Sequence, residues 1–214
     1  MHTLIKIVLI ISTLLLTSFG FAISKQNNIV AAKELNQLLS SFQTLTAKFT
    51  QTINTNTGNT IQTTSGDVLI KRPGKFYWFV QSPIQQLIIV NNNKSYLYEP
   101  DLEQVIVKKI NDNFTQAPAI LLTNSNATIL KKFSISLREK NKNKIIFTLI
   151  PKSQNLKATK NIAIIFVNKK IISLNFTNQL DQTVAIKFNN VKINLPIADS
   201  KFVFVAPKGT EIIK

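Results

Sequence analysis

Hydrophobic spacing divides the chain into one early helix and a long succession of strands. Ile29, Ala32, Leu35, Leu38, Leu39 and Phe42 recur at three- and four-residue intervals, with Lys33, Glu34 and Gln37 between them. One apolar stripe results, which predicts a helix over about residues 29–41. From Phe49 the period falls to two. Phe49 to Ile53 alternates, Asn54 to Asn59 is turn material around Gly58, and Ile61 to Lys71 returns as the second arm of a hairpin. Further strand-like runs cover Phe76 to Gln81, Gln86 to Val90, Ser95 to Tyr98 and Gln104 to Ile110.

The rhythm breaks between Asn113 and Asn126. Pro118 opens a compact apolar patch, Ala119 to Leu122, which predicts a short helix with loops on both sides. Strands resume at Phe133 to Arg138, Ile145 to Ile150, Ile162 to Val167, Ile171 to Thr177 and Thr183 to Asn189, and Phe202 to Val205 is predicted to be the last. Connections this short demand antiparallel neighbours, because a parallel crossover needs about a dozen residues or more. The expected class is therefore mainly β (α+β), with about ten or eleven antiparallel strands in a large curved sheet, a barrel or a sandwich. Ile145 to Ile150 and Ile162 to Val167 are apolar on both faces, whereas a sheet with one solvated face alternates. Helices packed outside, a hydrophobic cavity inside, or a well-filled sandwich core each explain the excess.

The first residues add a destination. Lys6 supplies a short positive region, Ile7 to Leu16 is almost uninterrupted aliphatic, and Gly20 and Ala22 are small residues suited to signal peptidase. Residues 1–22 are expected to be a signal peptide cleaved after Ala22, leaving 23–214 as a single domain. The alternative is an uncleaved anchor, since Ile7 to Ile23 is near the lower limit of about 17 residues for a spanning helix. Ser12, Thr13, Thr17 and Ser18 weaken such a span.

Composition then narrows the chemistry. The chain has no cysteine, and its only histidine, His2, would leave with the signal peptide. Serine or cysteine triads and the usual zinc sites would then be out of reach, so no catalytic residue, metal or cofactor is expected. Among ten acidic residues, Glu99, Asp101 and Glu103 form the one cluster. On a strand they would share a face and could suit calcium or a sugar-cleaving pair, but Pro100 favours a solvated turn. The net charge is +16. Its lysines are scattered, in pairs such as Lys108 with Lys109 and Lys169 with Lys170, and no aromatic-and-basic motif accompanies them. A solvated surface is the reading taken, with no nucleic acid partner; attraction to an acidic partner or to phospholipid headgroups stays open.

One ordered set of residues goes further. Phe49 to Thr52, Gly66 and Asp67, Lys71 to Pro73, and Phe76 to Trp78 are followed by Ser82 and Pro83, Ile88 to Val90, Lys94, Tyr96 to Pro100 and the closing Phe202 to Gly209. In order and spacing the set resembles the outer-membrane lipoprotein carrier family, the LolA-type periplasmic chaperones. The likeness spans essentially the whole chain after the signal, although residues 131–194 match in strand pattern more than in residues. The high positive charge and lysine-rich loops depart from the family.

The resemblance implies an incomplete antiparallel barrel with an N-terminal helix and a short helical lid over a hydrophobic cavity. It implies a monomer that takes triacylated lipoproteins from an inner-membrane ATP-driven lipoprotein-releasing complex and delivers them to an outer-membrane lipoprotein receptor. Arg72 matches the family's lid-locking arginine. Phe76, Trp78, Ile88 and Val90 would border the acyl-chain cavity, and Ile120, Leu121 and Leu122 would be the lid's inward face. Two alternatives remain at this stage: the lipid-anchored receptor of similar fold, which the missing cysteine disfavours, and a basic surface-binding β-module.

Overall fold

The alternating runs assemble into one sheet of twelve strands. The computed structural model describes residues 16–109, 118–124, 126–153, 159–178 and 180–214. Helix α1 (Leu16–Ser40) leads into β1 (Thr44–Asn54), β2 (Thr60–Lys71), β3 (Lys75–Ser82), β4 (Gln86–Asn91), β5 (Lys94–Glu99) and β6 (Gln104–Lys109). A 3-10 segment, Pro118–Thr123, and helix α2 (Asn126–Lys132) precede β7 (Phe133–Lys140), β8 (Lys144–Pro151), β9 (Thr159–Val167), β10 (Lys170–Asn178) and β11 (Thr183–Ile193). After a 3-10 turn at Asp199–Phe202 comes β12 (Glu211–Ile213).

The strand order is β12-β6-β5-β4-β3-β2-β1-β11-β10-β9-β8-β7, so the sheet stays open, with β12 and β7 as its edges. Neighbours pair antiparallel, as the short turns require, except that β12 runs parallel to β6. That exception needs no tight crossover, because the whole second half of the sheet intervenes. The first hairpin forms as expected, in a register that sets Phe49 opposite Gly66.

Alternation places one set of side chains on a single apolar face. Phe49 of β1, Val68 and Ile70 of β2, Phe76 and Trp78 of β3, and Ile88 and Val90 of β4 join one buried cluster with Phe147, Ile164, Leu174 and Ile186 of the later strands. Ala31, Leu35 and Leu39 of α1, Leu121 and Leu122 of the 3-10 segment, and Ile129 of α2 belong to the same cluster. These three pieces form a cover on that face. A Glu34–Lys140 ion pair of 2.8 Å fastens α1 beside edge strand β7.

Several expectations need correction. The helix is already formed at Leu16, the first described residue, well before residue 29, and its buried stripe is Ala31, Leu35 and Leu39, while Ile29 is 56% exposed. The stripe is rotated because strict four-residue spacing faces the sheet, and Ile29 falls off it. Helix α2 went unpredicted, and residues 110–117 and 125 of the expected flanking loops lie outside the described residues. Phe202 to Val205 alternates like a strand yet makes none. Phe202 is fully buried, and Phe204 stacks on Tyr96 at 5.5 Å between centroids and lies tilted against Tyr98 at 5.4 Å. The segment therefore lies across the sheet's other face as a strap, where alternation serves packing and no ladder partner is available.

Candidate functional site

The turn between β2 and β3 is where cover and sheet meet. Arg72 donates its backbone N–H to the Gln43 carbonyl at 2.8 Å, and Gly74 donates to the Thr123 carbonyl at 3.1 Å. The Arg72 guanidinium reaches in two directions. Nη1 donates to the carbonyl of Leu39, in the last turn of α1, and Nη2 donates to that of Asn124 at 2.6 Å. Carbonyls in a helix's last turn have no partner within the helix, so an outside donor satisfies them. The guanidinium also lies over the Phe42 ring, 5.5 Å from its centroid. Burial lowers its pKa from the ordinary value. It nonetheless stays a cation, since arginine is not deprotonated in proteins. One side chain thus ties α1 to residues 118–124.

Beneath the clamp lies an aromatic bed. Phe49 stacks on Trp78 with centroids 3.5 Å apart, and Trp78 stacks on Phe76 at 5.9 Å. Phe76 and Trp78 share a face because they are two residues apart on β3. Gly66 makes room for this stack. A Cβ there would sit 1.7 Å from the Phe79 carbonyl oxygen and 3.0 Å from the Phe49 ring, so no other residue fits without backbone movement. That explains why Phe49, Gly66 and Trp78 occur together.

Beside the bed opens a cavity of about 510 Å³, lined on its apolar side by Trp78, Val80, Ile88, Ala119 and Ile186. Its volume is in the range of about 300–1,000 Å³ usual for ligand pockets. Gln51, Gln62, Gln85 and Gln86 line the polar side with Glu99 and Asp101. Of the expected cavity residues, Trp78 and Ile88 line this space. Phe76, Val90, Leu121 and Leu122 do not; Phe76 and Val90 lie in the buried cluster on the sheet, and Leu121 and Leu122 of the cover belong to the same cluster. Val80 follows the Trp78 alternation, and Gln51 and Gln62 lie on the first hairpin, so all three were legible in principle; Ile186 enters only because β11 pairs with β1, which no local pattern reveals.

The acidic cluster does not share one strand face. β5 ends at Glu99, and Pro100–Leu102 form a 3-10 turn that carries Asp101 away before β6 begins. Among the described residues, no group of three carboxylates, histidines or cysteines could hold a metal ion.

An open antiparallel sheet, an aromatic bed and a helical cover fastened through one arginine define a β-fold built around an apolar interior. The chain matches the family described as outer membrane lipoprotein carrier protein LolA over residues 40–205, and it belongs to that family. The outer-membrane lipoprotein carrier protein of Pseudomonas fluorescens is 37% identical over 180 residues, covering 84% of this chain and 86% of that protein. The Pseudomonas aeruginosa protein of the same name is 33% identical over 197 residues, covering 92% and 94%. An uncharacterized conserved protein from Thermus thermophilus has a similar fold, with a TM-score of 0.51 at 9% identity, covering 89% of this chain and 98% of that one.

Proposed function

We propose that this protein is a periplasmic lipoprotein chaperone that shields acyl chains during their passage between two membranes. Family membership supports the reading, and the observation that carries it is the Arg72 clamp holding a cover over an apolar bed. Burying one methylene is worth about 0.8 kcal/mol, so one long acyl chain in water is penalised by about 10 kcal/mol. Such cargo does not cross an aqueous gap unassisted. A carrier needs apolar space for the chains and a competing state that lets them leave. Leu121 and Leu122, fully buried against the bed, supply that competitor. Lipid takes their place when the cover lifts, and their return helps to expel it.

The clamp suits this exchange. Its acceptors are backbone carbonyls, whose bonds water can replace, so the cover releases without stranding a buried charge. Residues 1–22 direct export and are cleaved after Ala22, which leaves the remainder of α1 at the start of a single domain, 23–214. The cargo is triacylated lipoprotein, received from an ATP-driven inner-membrane complex and passed to an outer-membrane receptor. The protein performs no catalysis.

Native mass spectrometry on the mature chain, purified from a periplasm, tests this reading. Acylated cargo is expected one to one, and Trp78→Asp, which puts a charge in the bed itself, is expected to abolish it. A cargo-free mass that also refuses added triacylated peptide would overturn the proposal in favour of a basic surface-binding β-module.

A further inference from the structure

Charge is spread very unevenly over this molecule. Residues 126–193 carry thirteen lysines and arginines against two acids, Glu139 and Asp181. The cavity beside the bed is the opposite. Its lining holds Glu99 and Asp101 and, among the described residues, no lysine or arginine. In a chain of net charge +16, that makes it a local acidic site.

The polar groups there are also underused. Gln86 donates from Nε2 to Glu99 Oε1 at 3.2 Å. Thr64 lines the same cavity, is 8% exposed, and its Oγ1 has no hydrogen-bond partner. A buried hydroxyl without a partner carries a desolvation penalty that a ligand acceptor relieves. Apolar wall, amide donors, a free hydroxyl and two carboxylates together match the place in an acylated peptide where hydrocarbon gives way to ester, amide and peptide groups.

We propose that this cavity is a second subsite, which holds the polar linkage and first peptide residues of the cargo, and that Glu99 and Asp101 select cationic over anionic segments there. The proposal rests on the carrier reading above. Ester and amide carbonyls accept from the glutamine amides and from Thr64, while the acyl chains lie on the bed. Lys187, beside lining residue Ile186 on β11, falls on the strand's opposite, exposed side, and exposed charges beyond about 8 Å are largely screened at physiological ionic strength.

The experiment is competition against a bound fluorescent fatty acid by three synthetic triacylated peptides, with lysine, serine or glutamate at the two positions after the acylated cysteine. The mature protein is expected to bind the lysine peptide about three- to tenfold more tightly than the glutamate peptide, as for two partly exposed ion pairs. Glu99→Gln with Asp101→Asn should bring the ratio to about one. Glu139→Gln with Asp181→Asn, the same charge change in the basic half, should leave it intact. Thr64→Val should weaken all three peptides alike. Equal affinities in the unaltered protein, or a ratio that survives Glu99→Gln with Asp101→Asn, would overturn the subsite. If no peptide displaces the probe, the carrier reading falls first, and the subsite with it.

Discussion

Two separate covers lie on the two faces of the sheet. On the apolar face sit α1, residues 118–124 and α2, joined through Arg72 to two backbone carbonyls and through Gly74 to a third. On the other face the strap over β3 to β5 buries Phe202 completely, seats Phe204 against Tyr96 and Tyr98, and ends by pairing β12 with β6. Asp199 adds ion pairs to Lys71 at 2.6 Å and Lys75 at 3.0 Å. The first cover adds no strand to the sheet; the second is stitched into its edge. On the carrier reading proposed above, the first lifts to admit lipid and the second stays in place.

The sharpest way to break this contrast is to cut the strap's anchor. Phe202→Ala should destabilise the protein by about 3–5 kcal/mol, the usual result of emptying an aromatic site in a core. Acyl-chain affinity in the folded protein should not change, because Phe202 lies outside the apolar cluster under the cover. Urea unfolding with and without a fatty-acid probe measures both quantities. A strap variant that loses lipid affinity while still folded would show that the two faces are coupled.

The corresponding change in the cover should behave differently. Leu121→Ala is expected to cost about 2–5 kcal/mol in the lipid-free protein and much less in the loaded one. By linkage the difference appears as tighter lipid binding, about tenfold for each 1.4 kcal/mol. Equal destabilisation of the empty and loaded states would mean that Leu121 never leaves its place, and the cover would then be ordinary core.

The two covers were also unequally legible in the sequence. The first was visible, because Ala119 to Leu122 after Pro118 is an apolar run with helix-start chemistry, and the helical stripe before Ser40 has a clear period. Arg72 alone looks like any residue in a proline turn; its role came from the surrounding likeness, and its partners are backbone carbonyls with no sequence signature. The strap reads as a strand in the sequence because Phe202 and Phe204 alternate with Val203 and Val205. Period two reports which residues face the same way, not whether a ladder partner exists. Glu211 to Ile213 was too short to stand out. The far wall of the cavity is illegible for a similar reason: Gln51 and Ile186 become neighbours only because β11 pairs with β1, a contact across most of the chain.

A smaller effect is expected at the clamp. Arg72→Lys keeps the charge but loses the fork that reaches both carbonyls, and it should cost about 1–3 kcal/mol. The change should speed amide exchange in residues 118–124 and slow the release of lipid to acceptor vesicles. Unchanged release would separate the clamp from cargo handling and leave it a structural cap.

The smallest effect concerns acid. Hydrogen bonds from Lys71, then Lys75, hold the Asp199 carboxyl below its ordinary pKa. A carboxylate depressed in the folded state contributes stability that is present above its unfolded pKa of about 4. That contribution is lost as the pH falls through the lower folded value, not as it rises. Because Asp199 is well exposed, the loss should loosen this one point of the strap without unfolding the sheet. Amide NMR shifts of residues 199–204, followed from about pH 6 to about pH 2, should show one acid step confined to the strap. Asp199→Asn should abolish it and leave the shifts of residues 118–124 untouched. A step that survives the substitution belongs to another carboxylate; a step that also moves the cover would mean that Lys71, next to Arg72 in the chain, links the two faces after all.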